Sequence, residues 1–238
     1  MLKSLYLTAK YSVLAIYQSR KGNRAATDKV IHDWARGLLE TVKVKYQVFG
    51  LQSLQLEPGK PYIIMSNHAS LYDIPLIFMA LPNQSIRMIA KKELFKVPLW
   101  GKAMQQSEFV AIDRDNSTQA MKDLEMVKEK MRSGIIPWIA PEGTRTRHGK
   151  MNPFKKGGFM LAIQTQATII PVGIRGAANI LPADTWNFQP NQTVEIHIGQ
   201  PIDASSYTIR MRMALLNAVK DSIEQLVEPS LIPHAVDG

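Results

Sequence analysis

At 238 residues, with 45% hydrophobic and 21% charged side chains, the chain has an ordinary globular composition and enough length to bury one sizeable core. It contains no cysteine, which excludes disulfides, zinc–thiolate sites and thiol nucleophiles and fits a reducing compartment. The net charge of +9 is uneven: residues 1–50 hold nine Lys/Arg against three Asp/Glu, leaving +3 for residues 51–238. A basic N-terminal segment suits either nucleic acid or an anionic lipid surface.

The first predicted element is a helix. Leu2, Leu5, Tyr6, Ala9, Val13, Ile16 and Tyr17 recur at steps of three and four, with Lys3 and Lys10 on the other side. Those lysines and the lack of a small-residue cleavage site argue against a secretory signal. A second helix is expected over 27–44, capped by Thr27 or Asp28, with Val30, Ile31, Trp34, Leu38 and Val42 as its stripe. The longest uncharged run here, Tyr11–Ser19, has nine residues, whereas a membrane span needs about 20. Two readings stay open: helices lying in a lipid interface, or helices packed on the protein with their basic residues in water.

From residue 61 short apolar runs alternate with amphipathic stretches. Strands are expected at 62–65, 86–90, 109–112, 135–140, 169–174 and 194–198. Helices are expected at 74–81, 93–105, 117–132, 154–166 and 207–227. Asn116 and Gln119 form a capping-box-like start for the helix at 117, and Gly134 follows its end. The tail 228–238, with Pro229 and Pro233, is expected to fray. This alternation predicts an α/β fold, a mixed sheet flanked by helices and preceded by an N-terminal pair of amphipathic helices. The corresponding division puts the helix pair at 1–50 and the α/β domain at 51–238.

The chemistry concentrates after the first apolar strand, in Asn67-His68-Ala69-Ser70-Leu71-Tyr72-Asp73. On a continuous helix residues five apart are offset by about 140° and do not meet, so a turn must fold the Asp73 carboxylate onto the His68 imidazole. Pro75 is tolerated in a first helical turn, which puts the pair on a strand–turn–helix junction, where sites on α/β sheets tend to lie. Histidine takes a proton near neutral pH, and a carboxylate on one ring nitrogen fixes its tautomer and steadies the imidazolium. Without a thiol or a Gly-x-Ser-x-Gly elbow, His68 suits activation of a substrate hydroxyl. The plain alternative is a core histidine beside a helix-capping Asp.

Further blocks follow in order: Ala90-Lys91-Lys92-Glu93-Leu94, Phe109-Val110-Ala111-Ile112-Asp113-Arg114, Pro141-Glu142-Gly143-Thr144-Arg145 and Ile170-Pro171-Val172-Gly173-Ile174. Together with His68-x-x-x-x-Asp73 they resemble the motifs of the glycerolipid acyltransferases, in particular the 1-acyl-sn-glycerol-3-phosphate acyltransferases, across roughly residues 60–175. Ala140 stands where an aromatic is common and Ala111 breaks a usually bulkier run; neither removes a polar group.

The resemblance implies acyl transfer from acyl-CoA or acyl-carrier protein to the sn-2 hydroxyl of lysophosphatidic acid, giving phosphatidic acid. His68 would be the base and Asp73 its partner. The Glu142-Gly143-Thr144-Arg145 block is the one the family assigns to the acyl acceptor. Arg114 and Arg145 suit phosphate because a guanidinium is a charged, planar donor fork, and Lys91 adds a point charge. Glu142 would orient Arg145 or accept a glycerol hydroxyl, Gly143 allows close backbone approach, and Thr144 supplies a hydroxyl. Competing readings are an ion pair of Arg114 with Asp113 or Asp115, and a solvated Lys91. Glycerol 3-phosphate or another lysophospholipid is the rival acceptor, and a non-catalytic lipid-binding protein the rival class.

His32, His148, His197 and His234 lack metal-ligand spacing, and His148 is expected on a basic surface loop. No dinucleotide or Walker pattern occurs, so no cofactor is indicated and coenzyme A would be a substrate. Nucleic acid is not an expected partner, because aromatics do not cluster among basic strands. The resemblance also implies a monotopic or peripheral protein on the cytoplasmic face of a phospholipid membrane.

Overall fold

The computed structural model describes residues 2–113, 117–147 and 150–228. Its elements run α1 (Leu2–Arg20), α2 (Arg24–Thr41), β1 (Lys45–Phe49), β2 (Tyr62–Ser66), α3 (Asp73–Ala80), β3 (Ile86–Lys91), α4 (Trp100–Gln106) and β4 (Val110–Ile112). They continue with α5 (Ser117–Arg132), β5 (Ile136–Ile139), α6 (Gly157–Thr165), β6 (Thr168–Arg175), α7 (Ala177–Ile180), β7 (Thr193–Ile198), β8 (Ile202–Asp203) and α8 (Arg212–Val227). Asn116 and the tail beyond residue 228, for which a cap and fraying were expected, lie outside the described residues.

The strands form one mixed sheet in the order β1-β7-β6-β2-β5-β3-β4, with β8 antiparallel to β6. From β6 through β4 all neighbours are parallel, so β2, β3, β4, β5 and β6 end on one edge. β7 runs antiparallel to β6 and carries β1 parallel to itself. Parallel strands buried on both faces read as continuous apolar runs, and β2 and β6 are buried almost throughout. Alternate residues of β2 serve opposite layers. Ile64 joins Ala35, Leu39 and Phe78 from α2 and α3, while Ile63 and Met65 join Val127, Phe159 and Val219 from α5, α6 and α8.

Four expectations need correction. The cap of α2 is Asn23, whose side chain accepts from Ala26 N at 2.9 Å. Thr27 is already inside that helix, donating to Asn23 O, and Asp28 turns to Arg87 at 2.6 Å. The same helix stops at Thr41, short of residue 44. The helix expected over 93–105 is broken: a 3₁₀ turn over Lys92–Lys96 is followed by α4. Pro98 removes an N–H and drives Val97 extended (ψ 123°), and Leu99 takes a left-handed φ of 63°. This corner is tight enough that a Cβ on Gly101 would collide with Phe95 O.

The fourth correction concerns β1. Val42, Val44, Tyr46 and Val48 alternate with Lys43, Lys45 and Gln47, a period-two signal that the helix reading absorbed. Pairing of Lys45–Phe49 with β7 makes residue 45 the start of the sheet, so the division expected at residue 50 falls after a strand. α1 and α2 pack on each other, α1 on α4, and α2 on α3.

α1 is seated by its less apolar side. Ser12 and Ala15 are buried, whereas Leu2, Leu5, Tyr6, Val13 and Tyr17 from the predicted stripe are exposed, Leu2 by 82%. No helix among the described residues is long and apolar enough to cross a membrane.

Candidate active site

The turn required by the five-residue spacing follows β2 directly. His68 Nδ1 stands 2.8 Å from Asp73 Oδ2, which also accepts the backbone N–H of Ala69 at 2.7 Å and of Ser70 at 2.9 Å. Asp73 is the first residue of α3 and is fully buried. A buried carboxylate needs partners of this kind, because an isolated charge there is costly. The two backbone donors hold this oxygen against the imidazole, where it accepts Nδ1–H and leaves Nε2 as the nitrogen free to accept a proton. The His68 ring meets the buried Trp138 edge to face, with centroids 6.2 Å apart, so one wall of the imidazole is apolar.

Residues around the dyad fix its backbone. Asn67 clips β2 to β6, donating from Nδ2 to Ile174 O at 2.9 Å and accepting from Ile174 N at 2.8 Å. Ser70 Oγ donates to Leu181 O at 2.8 Å, and Trp138 Nε1 donates to Ser66 Oγ at 2.9 Å.

The segment after β5 is tied to His68 from both sides. Glu142, 1% exposed, accepts His68 N on Oε1 at 2.9 Å, and on Oε2 accepts Thr146 Oγ1 at 2.6 Å and Asn152 N at 2.7 Å. Thr146 N in turn donates to His68 O at 2.7 Å. The Glu142 carboxylate is thus engaged by protein donors and organises the loop. Arg145, which it was expected to orient, pairs with Asp184 at 3.2 Å. Gly143 has φ of 74°, a left-handed turn residue whose N–H donates to Ala140 O, and Thr144 is exposed.

The remaining expected residues are more dispersed. Lys91 ends β3, exposed, two strands from β2 and so about 10 Å away along the same edge. Arg114 and His148 lie outside the described residues. Asp113, weighed as a partner for Arg114, holds Lys92 at 2.6 Å and donates its backbone N–H to Asp123. His197 stands apart, bonded to Glu195 and stacked on Phe49. Sequence reasoning missed Asn67, Thr146, Arg147 and Asp184. Only Arg147 left a signal, two residues beyond Arg145 and on the same side if the segment is extended.

Two clefts flank the dyad. An apolar one is lined by Leu5, Trp34, Leu71, Pro75, Leu99 and Trp186, among others, between α1 and the His68–Asp73 turn. A more polar one is lined by Asn67, Ala69, Thr146, Arg147 and Arg175, among others.

Comparison with known proteins gives a consistent result. Residues 45–175 match the Acyltransferase family model. The chain is 30% identical over 211 residues to human 1-acyl-sn-glycerol-3-phosphate acyltransferase beta, covering 86% of this chain and 74% of that protein. It is 30% identical over 186 residues to the 1-acyl-sn-glycerol-3-phosphate acyltransferase of Pseudomonas aeruginosa, covering 76% of this chain and 70% of that protein. Against the chloroplastic BAT2 enzyme of Brassica napus the identity is 30% over 161 residues, 68% of this chain, and the chain spans about half (46%) of that relative's length. The crystal structure of the 1-acyl-sn-glycerophosphate (LPA) acyltransferase PlsC from Thermotoga maritima superposes with a TM-score of 0.75 at 26% identity, covering 94% of this chain and 95% of that one.

Proposed function

The chain belongs to the acyltransferase family that includes the 1-acyl-sn-glycerol-3-phosphate acyltransferases, and on that premise we propose that it moves a fatty acyl group from a thioester to the sn-2 hydroxyl of 1-acyl-glycerol 3-phosphate, giving phosphatidic acid. The observation that carries the reading is the His68–Asp73 contact, which commits Nδ1 and frees Nε2 for the substrate. Nε2 takes the proton as the hydroxyl oxygen attacks the thioester carbon. The new C–O bond forms, the C–S bond breaks as the tetrahedral adduct collapses, and His68 returns the proton to the leaving sulfur. Asp73 stabilises the imidazolium between these steps. No enzyme nucleophile and no cofactor is needed, since acyl-CoA or acyl-carrier protein is a substrate.

Arg145, with Lys91 at the end of β3 and with Arg114, binds the acceptor's phosphate. Gly143 and Thr144 line its glycerol, and Glu142 acts through the backbone of His68 and Asn152. The apolar cleft beside Leu71 and Tyr72 takes an acyl chain. The exposed apolar face of α1, and Trp186 at 74% exposure, seat the protein in a lipid interface. The basic excess of residues 1–50 matches the anionic cytoplasmic leaflet.

A product assay tests the reading. The purified chain is given 1-acyl-glycerol 3-phosphate, glycerol 3-phosphate or an uncharged-headgroup lysolipid, each with acyl-CoA and with acyl-carrier protein. Phosphatidic acid from the first acceptor is the expected product with at least one donor. Acylation of glycerol 3-phosphate alone moves the activity to the rival acceptor, and no acylation of any acceptor overturns it.

A further inference from the structure

We propose that Asp184 is a resident anion that occupies the phosphate site of the free enzyme and is displaced by the acceptor's phosphate, and that Arg147 is a second ligand of that site. This rests on the reading of Arg145 as a phosphate ligand.

Arg145, Thr146 and Arg147 follow the turn at Gly143 without regular secondary structure. Thr146 faces inward, its Oγ1 on Glu142 and its N–H on His68 O. Arg145 and Arg147 both reach the opposite side and share one carboxylate: Arg145 Nη2 lies 3.2 Å from Asp184 Oδ1, and Arg147 Nε lies 2.7 Å from Asp184 Oδ2. Two guanidiniums bracketing both oxygens of one carboxylate is also how they would bracket two oxygens of a phosphate. Because Thr146 is bonded to the His68 backbone, this anion position is coupled to the base.

The carrier of that carboxylate is built to let go. Asp184 sits on a loop pinned at its base, where Gln189 N donates to Ile180 O and Leu181 O accepts Ser70 Oγ. Near its far end Phe188 packs edge to face on Tyr72. Asp184 itself, at the tip, is half exposed and has φ of 59°, outside the regions most residues prefer. Exposed ion pairs are weak, whereas a phosphate monoester brings more charge and more acceptor oxygens to the same two arginines. The loop also borders both clefts: Pro182 and Ala183 line the polar one, Leu181, Trp186 and Phe188 the apolar one. Release of Asp184 therefore opens the headgroup position beside the cleft that takes the chain.

The test uses Asp184→Asn in the full-length protein, because Asn tolerates a left-handed φ and removes only the charge. The KM for lysophosphatidate is expected to fall roughly twofold to fivefold, the worth of an exposed ion pair, with the thioester KM unmoved. Arg147→Ala in the Asp184→Asn background should erase that gain. An acceptor KM that stays the same or rises in Asp184→Asn overturns the proposal, as does a gain that survives Arg147→Ala. Should the wild-type protein acylate no lysophosphatidate, the proposed function fails, and inorganic phosphate still decides this point. Its stabilisation of the fold against heat should be larger in Asp184→Asn than in wild type, and an equal or smaller effect overturns the displacement.

Discussion

The Glu142 carboxylate accepts the backbone N–H of His68 at 2.9 Å, although the two residues lie 74 positions apart and on different strands' ends. Through its other oxygen it holds Thr146 and Asn152, so one buried acid joins the turn carrying the base to the loop carrying Arg145. Glu142→Gln preserves the shape and destroys this pattern, since the amide must face protein N–H or O–H donors with an NH₂ of its own. A buried unsatisfied donor costs about 1–3 kcal/mol. Thermal unfolding should show a loss of that size, with kcat reduced as His68 loses its backbone support. Wild-type stability and kcat in Glu142→Gln would refute this role.

His68→Ala should remove nearly all turnover with the fold intact. General-base assistance is typically worth roughly 10²–10⁴-fold, so residual activity above about a tenth contradicts the mechanism. Asp73→Asn should be comparably severe, because an amide in contact with Nδ1 favours the wrong tautomer. Circular dichroism of each variant separates lost chemistry from lost structure.

Stability should fall in acid through Glu108. Hydrogen bonds from Arg24, helped by Lys130, outweigh its desolvation and push its carboxyl down from 4.5 to about 2. A carboxyl whose folded-state pKa is depressed contributes stability above its unfolded value, and that contribution is lost as pH falls from 4.5 toward about 2. Unfolding midpoints of wild type and Glu108→Gln should therefore differ at neutral pH and converge through that window. A constant difference across it would exclude this linkage. The pair is also a clasp between α2 and the α4–β4 turn, so the variant should loosen the N-terminal helices first.

Membrane seating should depend on the outward face of α1. Leu2→Glu with Val13→Glu places charge on exposed positions outside both clefts, so the melting temperature should hold while binding to anionic vesicles drops. Wild-type protein should leave such vesicles only partly in high salt, since salt screens the basic residues but not apolar insertion. Complete release by salt alone, or full vesicle binding by the double variant, would place the contact elsewhere.

What the sequence determined by itself was the local content. The long apolar runs at 62–65 and 169–174, the helical periodicity of α1 and the α/β alternation follow from side-chain order along the chain, because period and burial are local properties. The His68–Asp73 contact was legible too, since a short turn is the only way a five-residue spacing can close. The tertiary structure decided the rest. β1 is a strand because β7, far along the chain, offers it an edge. Asn67 matters because Ile174 lies beside it, and Thr146 because Glu142 and His68 converge there. The stripe of α1 reads the same whether it faces a core or a lipid surface, and only the seating of Ser12 and Ala15 on the protein turns it outward. These are pairings between distant segments, and nothing in a residue's own neighbourhood specifies which carbonyl or carboxylate will arrive across from it.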